Sequence, residues 1–83
     1  MSDENVVRSP IPGVFYRRPD PDSPPFVSEG DVVEDGGVVG LVEVMKQFHE
    51  VHSEVRGRLR SFLVENEGVV GAGDVVAELD PAD

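Results

Sequence analysis

Short apolar runs alternate with glycine, proline and acidic residues along the whole chain. They fall at Val6-Val7, Val14-Phe15-Tyr16, Phe26-Val27, Val32-Val33, Val38-Val39, Leu41-Val42, 51–55, 59–64, Val69-Val70 and 75–79. No stretch repeats apolar residues at intervals of three and four, so little or no helix is predicted. The 17 valines against four leucines tilt the chain further toward strand. Closely spaced strands separated by turn residues predict a sandwich or a barrel.

The pattern also repeats. Residues 7–15 lie over residues 51–59 at an offset of 44, with Val7 on Val51, Ser9 on Ser53, Gly13 on Gly57 and Phe15 on Leu59. Further on the offset falls to 37: Phe26-Val27 lies on Leu63-Val64, Val33 on Val70, Gly36 on Gly73 and Val38-Val39 on Val75-Val76. The first half therefore holds an extra loop around Pro19 to Pro25. Two similar β units in so short a chain predict a pseudo-twofold sandwich in which each apolar face covers the other. Such a sandwich has equivalent hairpins at opposite ends. The junction of the halves falls at Val44 to Gln47, which places Lys46 on a hairpin tip, as far as the fold allows from the chain termini.

That tip is chemically odd. Tight two-residue hairpins favour Asn-Gly, Asp-Gly or Gly-X because their central residues need positive φ. Here the centre reads Met45-Lys46. Two readings are open: a strained turn kept for function, or a longer and looser loop.

Composition bounds the rest. The 83 residues are enough for one small domain, with 1–5 expected as a disordered tail, 6–80 as the domain and 81–83 as a second tail. Without cysteine the fold must rest on packing and hydrogen bonds. Residues 1–5 have no apolar segment behind them that resembles a signal peptide, and no run approaches a membrane span, so a cytoplasmic protein is expected. The formal net charge of -10 argues against nucleic acid and against anionic membrane surfaces. It is read first as solubility or adaptation to salt. Within the seven basic residues six are arginine and one is lysine, Lys46. An amine can lose its proton and be acylated, whereas a guanidinium stays charged.

These residues resemble the biotin carboxyl carrier family. Glu43-Val44-Met45-Lys46-Gln47 is similar to that family's E-A-M-K-M box, with Val44 in place of Ala and Gln47 in place of the second Met. Residues 9–17, Ser-Pro-Ile-Pro-Gly-Val-Phe-Tyr-Arg, resemble its S-P-M-x-G-x-F-Y-R opening. Pro19-Asp20-Pro21-Asp22, followed by Phe26-Val27, resembles its thumb loop. Residues 30–36 resemble its G-x-x-V-x-x-G-D element, with Gly37 where Asp usually stands. The second half has Glu67 where a glycine is expected.

The resemblance implies an all-β fold: a flattened β-sandwich or barrel of two pseudo-twofold related four-stranded sheets, the biotinyl/lipoyl domain. It implies covalent biotin on Lys46 through an amide, with Met45, Val44 and Gln47 framing the attachment point and Pro19, Asp20, Pro21 and Asp22 as candidate thumb contacts to the ureido ring. It implies a non-catalytic carrier. A biotin protein ligase would load it, a biotin carboxylase would charge it, and a carboxyltransferase would discharge it onto an acyl-CoA, acetyl-CoA by the thumb. Glu43 is read as a solvated charge, with a ligase-facing role as the alternative, and Met45 as packed in the hairpin or read by the ligase. Two other readings stay open: a lipoyl carrier, which modifies an equivalent lysine, and an unmodified fold relative serving as an interaction module.

Two further features invite chemistry and fail to support it. His49 and His52 lie three apart on a predicted strand and so point to opposite faces, which leaves no convergent metal set. Gly36, Gly37 and Gly40 precede neither a helix nor a G-K-[ST] sequence, so they do not make a phosphate loop.

Overall fold

The computed structural model describes residues 5–82. They form eight strands: β1 Val6–Arg8, β2 Gly13–Tyr16, β3 Val32–Val33, β4 Val38–Val44, β5 Gln47–His52, β6 Gly57–Phe62, β7 Gly68–Val70 and β8 Val75–Pro81. Two antiparallel four-stranded sheets result, one ordered β1-β8-β6-β3 and the other β5-β4-β2-β7. Exchanging β1 with β5, β2 with β6, β3 with β7 and β4 with β8 turns one order into the other. This is the twofold that the two offsets require.

The core repeats the same way. Val7 and Val51, Phe15 and Leu59, Val33 and Val70, Val39 and Val76, and Val42 and Leu79 are all buried, and each pair is one position seen twice. The polar exceptions obey the rule as well. Ser9 and Ser53 are the two buried polar residues among those described. Ser9 Oγ donates to Ile11 O and Ser53 Oγ to Val55 O, both at 2.6 Å. Gly73 N donates to Ser9 O and Gly36 N to Ser53 O, both at 2.7 Å. Each serine thereby satisfies a turn at the entrance to a sheet, where an unpaired buried hydroxyl would be costly.

Gly40 explains how β4 passes through the middle. A Cβ there would lie 2.5 Å from Phe15 Cε1 and 2.6 Å from Tyr16 O. The Phe15 ring fills the space that a side chain would need. The twofold mate of Gly40 is Ala77, also buried, so both halves keep this position small.

The structure departs from the sequence expectations in four places. Phe26-Val27 makes no strand; Phe26 N donates to Arg17 O at 2.9 Å and closes the base of the extra loop, while Val27 packs against the core. The run 51–55 is not one strand, because β5 stops at His52 and Ser53 begins a turn. Val38-Val39 and Leu41-Val42 belong to a single strand through Gly40. Strand β8 reaches Pro81, one residue into the segment expected as a tail. Of the expected tail at 1–5, residues 1–4 lie outside the described residues.

Candidate functional site

Strands β4 and β5 are joined at the tip of their sheet by two residues. Val44 pairs with Gln47, leaving Met45 and Lys46 as the whole loop. Both adopt left-handed backbone, with φ of 51° and 68°. This is the geometry of a type I′ turn, whose twist matches that of the flanking strands. An L residue with a Cβ holds it at a cost on the order of 1 kcal/mol. Of the two readings of the sequence, the tight turn is the one the structure adopts.

The turn sends both side chains outward. Met45 is 91% exposed, so it does not pack in the hairpin. Lys46 is exposed and, among the described residues, pairs with no acid. Val44 is half-buried against the core and Gln47 is exposed, so the turn is clamped on one side only. At the offset of the twofold, the position equivalent to 44 is Pro81, the last residue of β8. Lys46 and the end of strand β8 at Pro81 therefore occupy opposite poles.

A cleft lies beside this hairpin on the outer face of its sheet. Its volume is about 350 Å³, and its lining is Tyr16, Phe48, Arg18, Pro19, Asp20, Pro21, Asn66 and Glu67. Phe48 stands two residues after Lys46 and is 56% exposed. Its ring meets that of Tyr16 at 6.0 Å between centroids with a 58° tilt. The Tyr16 hydroxyl donates to Glu43 Oε1 at 3.0 Å. That bond, together with the nearby charges of Glu43 and Glu67 and partial desolvation, raises the Tyr16 pKa above 10.0. Glu43, read from sequence as a solvated charge, is thus a partner that fixes one wall of the cleft.

The other wall is the extra loop, and it is preformed. The Asp20 carboxylate accepts from Asp22 N at 2.9 Å and from Ser23 Oγ at 2.9 and 3.0 Å, the pattern by which Asp shapes a turn. Arg17 pins the loop to the neighbouring β6–β7 connection. Its backbone N–H donates to Asn66 Oδ1 and its Nη2 to Val64 O, both at 2.8 Å, and its guanidinium lies 4.4 Å from the centre of the Phe62 ring. Glu67, at φ 72°, takes the left-handed conformation that Gly30 takes in the first half at φ 95°. The glycine missing from the second half is therefore replaced in residue type and retained in backbone shape.

Of the candidate thumb residues, Pro19, Asp20 and Pro21 line the cleft and Asp22 does not. Tyr16, Arg18, Phe48, Asn66 and Glu67 were not anticipated as cleft residues. The available signal was Phe48, an aromatic side chain on the outward face of a mostly exposed strand. His52, for its part, bonds Glu50 Oε1 through Nε2 at 3.0 Å, two residues along the same face.

The comparisons agree with this geometry. A family model described as "Biotin-requiring enzyme" matches residues 5–79. The biotin carboxyl carrier protein of acetyl-CoA carboxylase from Pseudomonas aeruginosa is 47% identical over 62 residues, covering 75% of this chain and 40% of that protein. The protein of the same name from Streptococcus pyogenes is 38% identical over 73 residues, covering 88% of this chain and 44% of that one. The chain thus spans less than half the length of these curated relatives. Among solved structures, the urea carboxylase of Kluyveromyces lactis superposes with a TM-score of 0.73 at 31% identity, over 89% of this chain and 6% of that one. An aspartoacylase family protein from Mesorhizobium loti reaches 0.72 at 23% identity, over 99% of this chain and 24% of that one, and shares the fold. With the repeat, the lysine turn and the loop-walled cleft already in place, these matches establish that the chain belongs to the biotin/lipoyl domain family of biotin-requiring enzymes.

Proposed function

We propose that this chain is the biotin carrier of an acyl-CoA carboxylase, acetyl-CoA being the acyl-CoA favoured by its relatives, with biotin held as an amide on Lys46. The observation that carries the reading is the single lysine of the chain, exposed on a two-residue turn whose backbone is left-handed at both positions. A biotin protein ligase needs an amine offered at a fixed place, and a rigid turn clear of neighbours offers one. Once attached, biotin supplies a ureido ring that accepts and gives up a carboxylate. The domain's task is to present that ring to a biotin carboxylase and then to a carboxyltransferase. Tethering raises the effective concentration at each site without any new contact.

The residues of the cleft fit the tethered group. Its bicycle is apolar on the thioether side and offers N–H donors and a carbonyl on the ureido side. Tyr16, Phe48, Pro19 and Pro21 supply apolar wall, and Asp20 supplies acceptor oxygens. Asn66 uses Oδ1 for Arg17 N, which leaves Nδ2 to donate. We assign these residues as the resting contacts of the ring, with Met45, Val44 and Gln47 framing the linkage.

The test is intact mass after co-expression with a biotin protein ligase. Addition of one biotinyl group is expected. A lipoyl addition under matched conditions with a lipoate ligase, or no addition with either, overturns the reading.

A further inference from the structure

Six arginines surround the domain, and one of them faces the cleft without an acidic partner. Arg60 pairs with Asp80 and Glu78, and Arg56 with Glu34. Arg17 is stacked on Phe62 and bonded to Val64 O. Arg18 has none of these ties. Among the described residues its only hydrogen bond runs from Nη1 to Ser23 O at 3.4 Å, at the limit of hydrogen-bond length, and its Nε is buried with no partner. An under-satisfied guanidinium beside an apolar wall is unfavourable unless something visits it.

The carboxylates that share the cleft do not meet this demand. Asp20 accepts from Ser23 Oγ and Asp22 N and, among the described residues, forms no ion pair with Arg18. Glu67 lines the same cleft and, among the described residues, forms no ion pair with Arg18. Arg18 is therefore the one cation of the lining, and it lies within the wall formed by the extra loop. Phe48 follows Lys46 by two residues, about 7 Å along a strand, so the cleft begins well within the span of a biotinylated lysine.

We propose that Arg18 makes the cleft selective for the charged state of the carried group: it binds the carboxylate cargo, so the loaded ring rests in the cleft more firmly than the empty one. The inference rests on the reading of Lys46 as the biotin site. Guanidinium and carboxylate match as planar, forked partners, and the Tyr16–Phe48 wall of the cleft reduces competition from water. An empty ureido ring is neutral and gains nothing from the charge. The cleft is then a berth for cargo in transit, and its hold is set by one residue of the extra loop.

The experiment uses the full chain in three states: unmodified, biotinylated, and biotinylated then carboxylated with a biotin carboxylase, ATP and ¹⁴C-bicarbonate. Two readouts apply: NMR of the Arg18 Nε–H and the Tyr16 and Phe48 rings, and the lifetime of the ¹⁴C label after removal of the carboxylase. In label loss the N–C bond breaks, its electron pair stays on the ureido nitrogen, which takes a proton from water, and carbon dioxide leaves. A guanidinium on the carboxylate stabilises the starting state and slows this step. Carboxylation is expected to shift the Arg18 signal. R18Q is expected to shorten the label lifetime by roughly two- to five-fold, the range a half-exposed ion pair supports. R18K is expected to retain part of the effect, and biotin loading and melting temperature should be unchanged in both variants. If the ring signals ignore biotin in both loaded states, the cleft is not the resting place, and the proposal falls with that assignment. If the rings respond but Arg18 and the label lifetime are indifferent to the carboxylate and to R18Q, the cleft assignment stands and the role of Arg18 is overturned.

Discussion

The hydroxyl of Tyr16 donates to Glu43 Oε1 and so ties the strand that enters the extra loop to the strand that enters the lysine turn. Tyr16 is the only tyrosine, so its ionisation can be followed directly by ultraviolet absorbance. We expect a midpoint above 10.0, because the bond to Glu43 and the neighbouring negative charges favour the neutral phenol. A raised pKa in the folded state means that this contribution to stability is complete below the unfolded value and is lost as pH rises through the folded one. Glu43→Gln should bring the midpoint back toward 10. An unchanged midpoint would show that the bond does not form in solution.

Lys46→Arg should abolish biotin loading and leave the β fold intact, since the chain has no second lysine. Intact mass and far-ultraviolet circular dichroism together check this. Biotin retained on the variant would move the attachment site elsewhere.

The left-handed turn predicts a stabilising substitution. Met45→Gly removes a Cβ from a residue at φ 51° and should raise stability by roughly 1 kcal/mol, visible as an increase of about 4–8 °C in melting temperature. The same change removes the exposed side chain next to the amine, so loading by the ligase should slow while the domain becomes harder to melt. A fall in melting temperature would contradict the turn geometry.

Gly40→Ala tests the packing beneath the hairpin. The added methyl meets the Phe15 ring and the Tyr16 carbonyl, and overpacking of this kind costs roughly 1–3 kcal/mol. Urea denaturation should show the midpoint falling with the slope unchanged. Pairing Gly40→Ala with Phe15→Leu should recover part of the loss, because the ring is what occupies the space.

The charge of -10 predicts a response to salt. Acidic residues such as Glu29, Asp31, Glu34 and Asp35 are exposed and close in sequence. Screening of their repulsion should raise the melting temperature as ionic strength increases toward about 1 M, where the Debye length shrinks to roughly 3 Å. A melting temperature flat across that range would assign the acid excess to solubility alone.

Much of this architecture could be read from residue order because the fold uses each position twice. Val7 and Val51, Ser9 and Ser53, and Gly36 and Gly73 announce the twofold, and the twofold fixes where the lysine must stand. The cleft was less legible. It is assembled from three separate segments, Tyr16 to Pro21, Phe48 and Asn66-Glu67, which no single local pattern brings together. Glu67 shows why residue type misleads: backbone shape is retained where glycine is lost, and a glycine search cannot see that. Phe26-Val27 failed as a strand for a related reason. Its apolar residues serve to close a loop and cover the core, and periodicity does not distinguish that role from a place in a sheet.

Because β1 pairs with β8, the strands nearest the two ends lie side by side. The outer ends of these two strands, Val6 and Pro81, lie at the end of the sandwich away from the lysine turn. Such a domain can be spliced between unrelated catalytic modules, or hung from one of them on a leash. On the proposed carrier reading, either arrangement leaves the lysine turn clear of the attached chain.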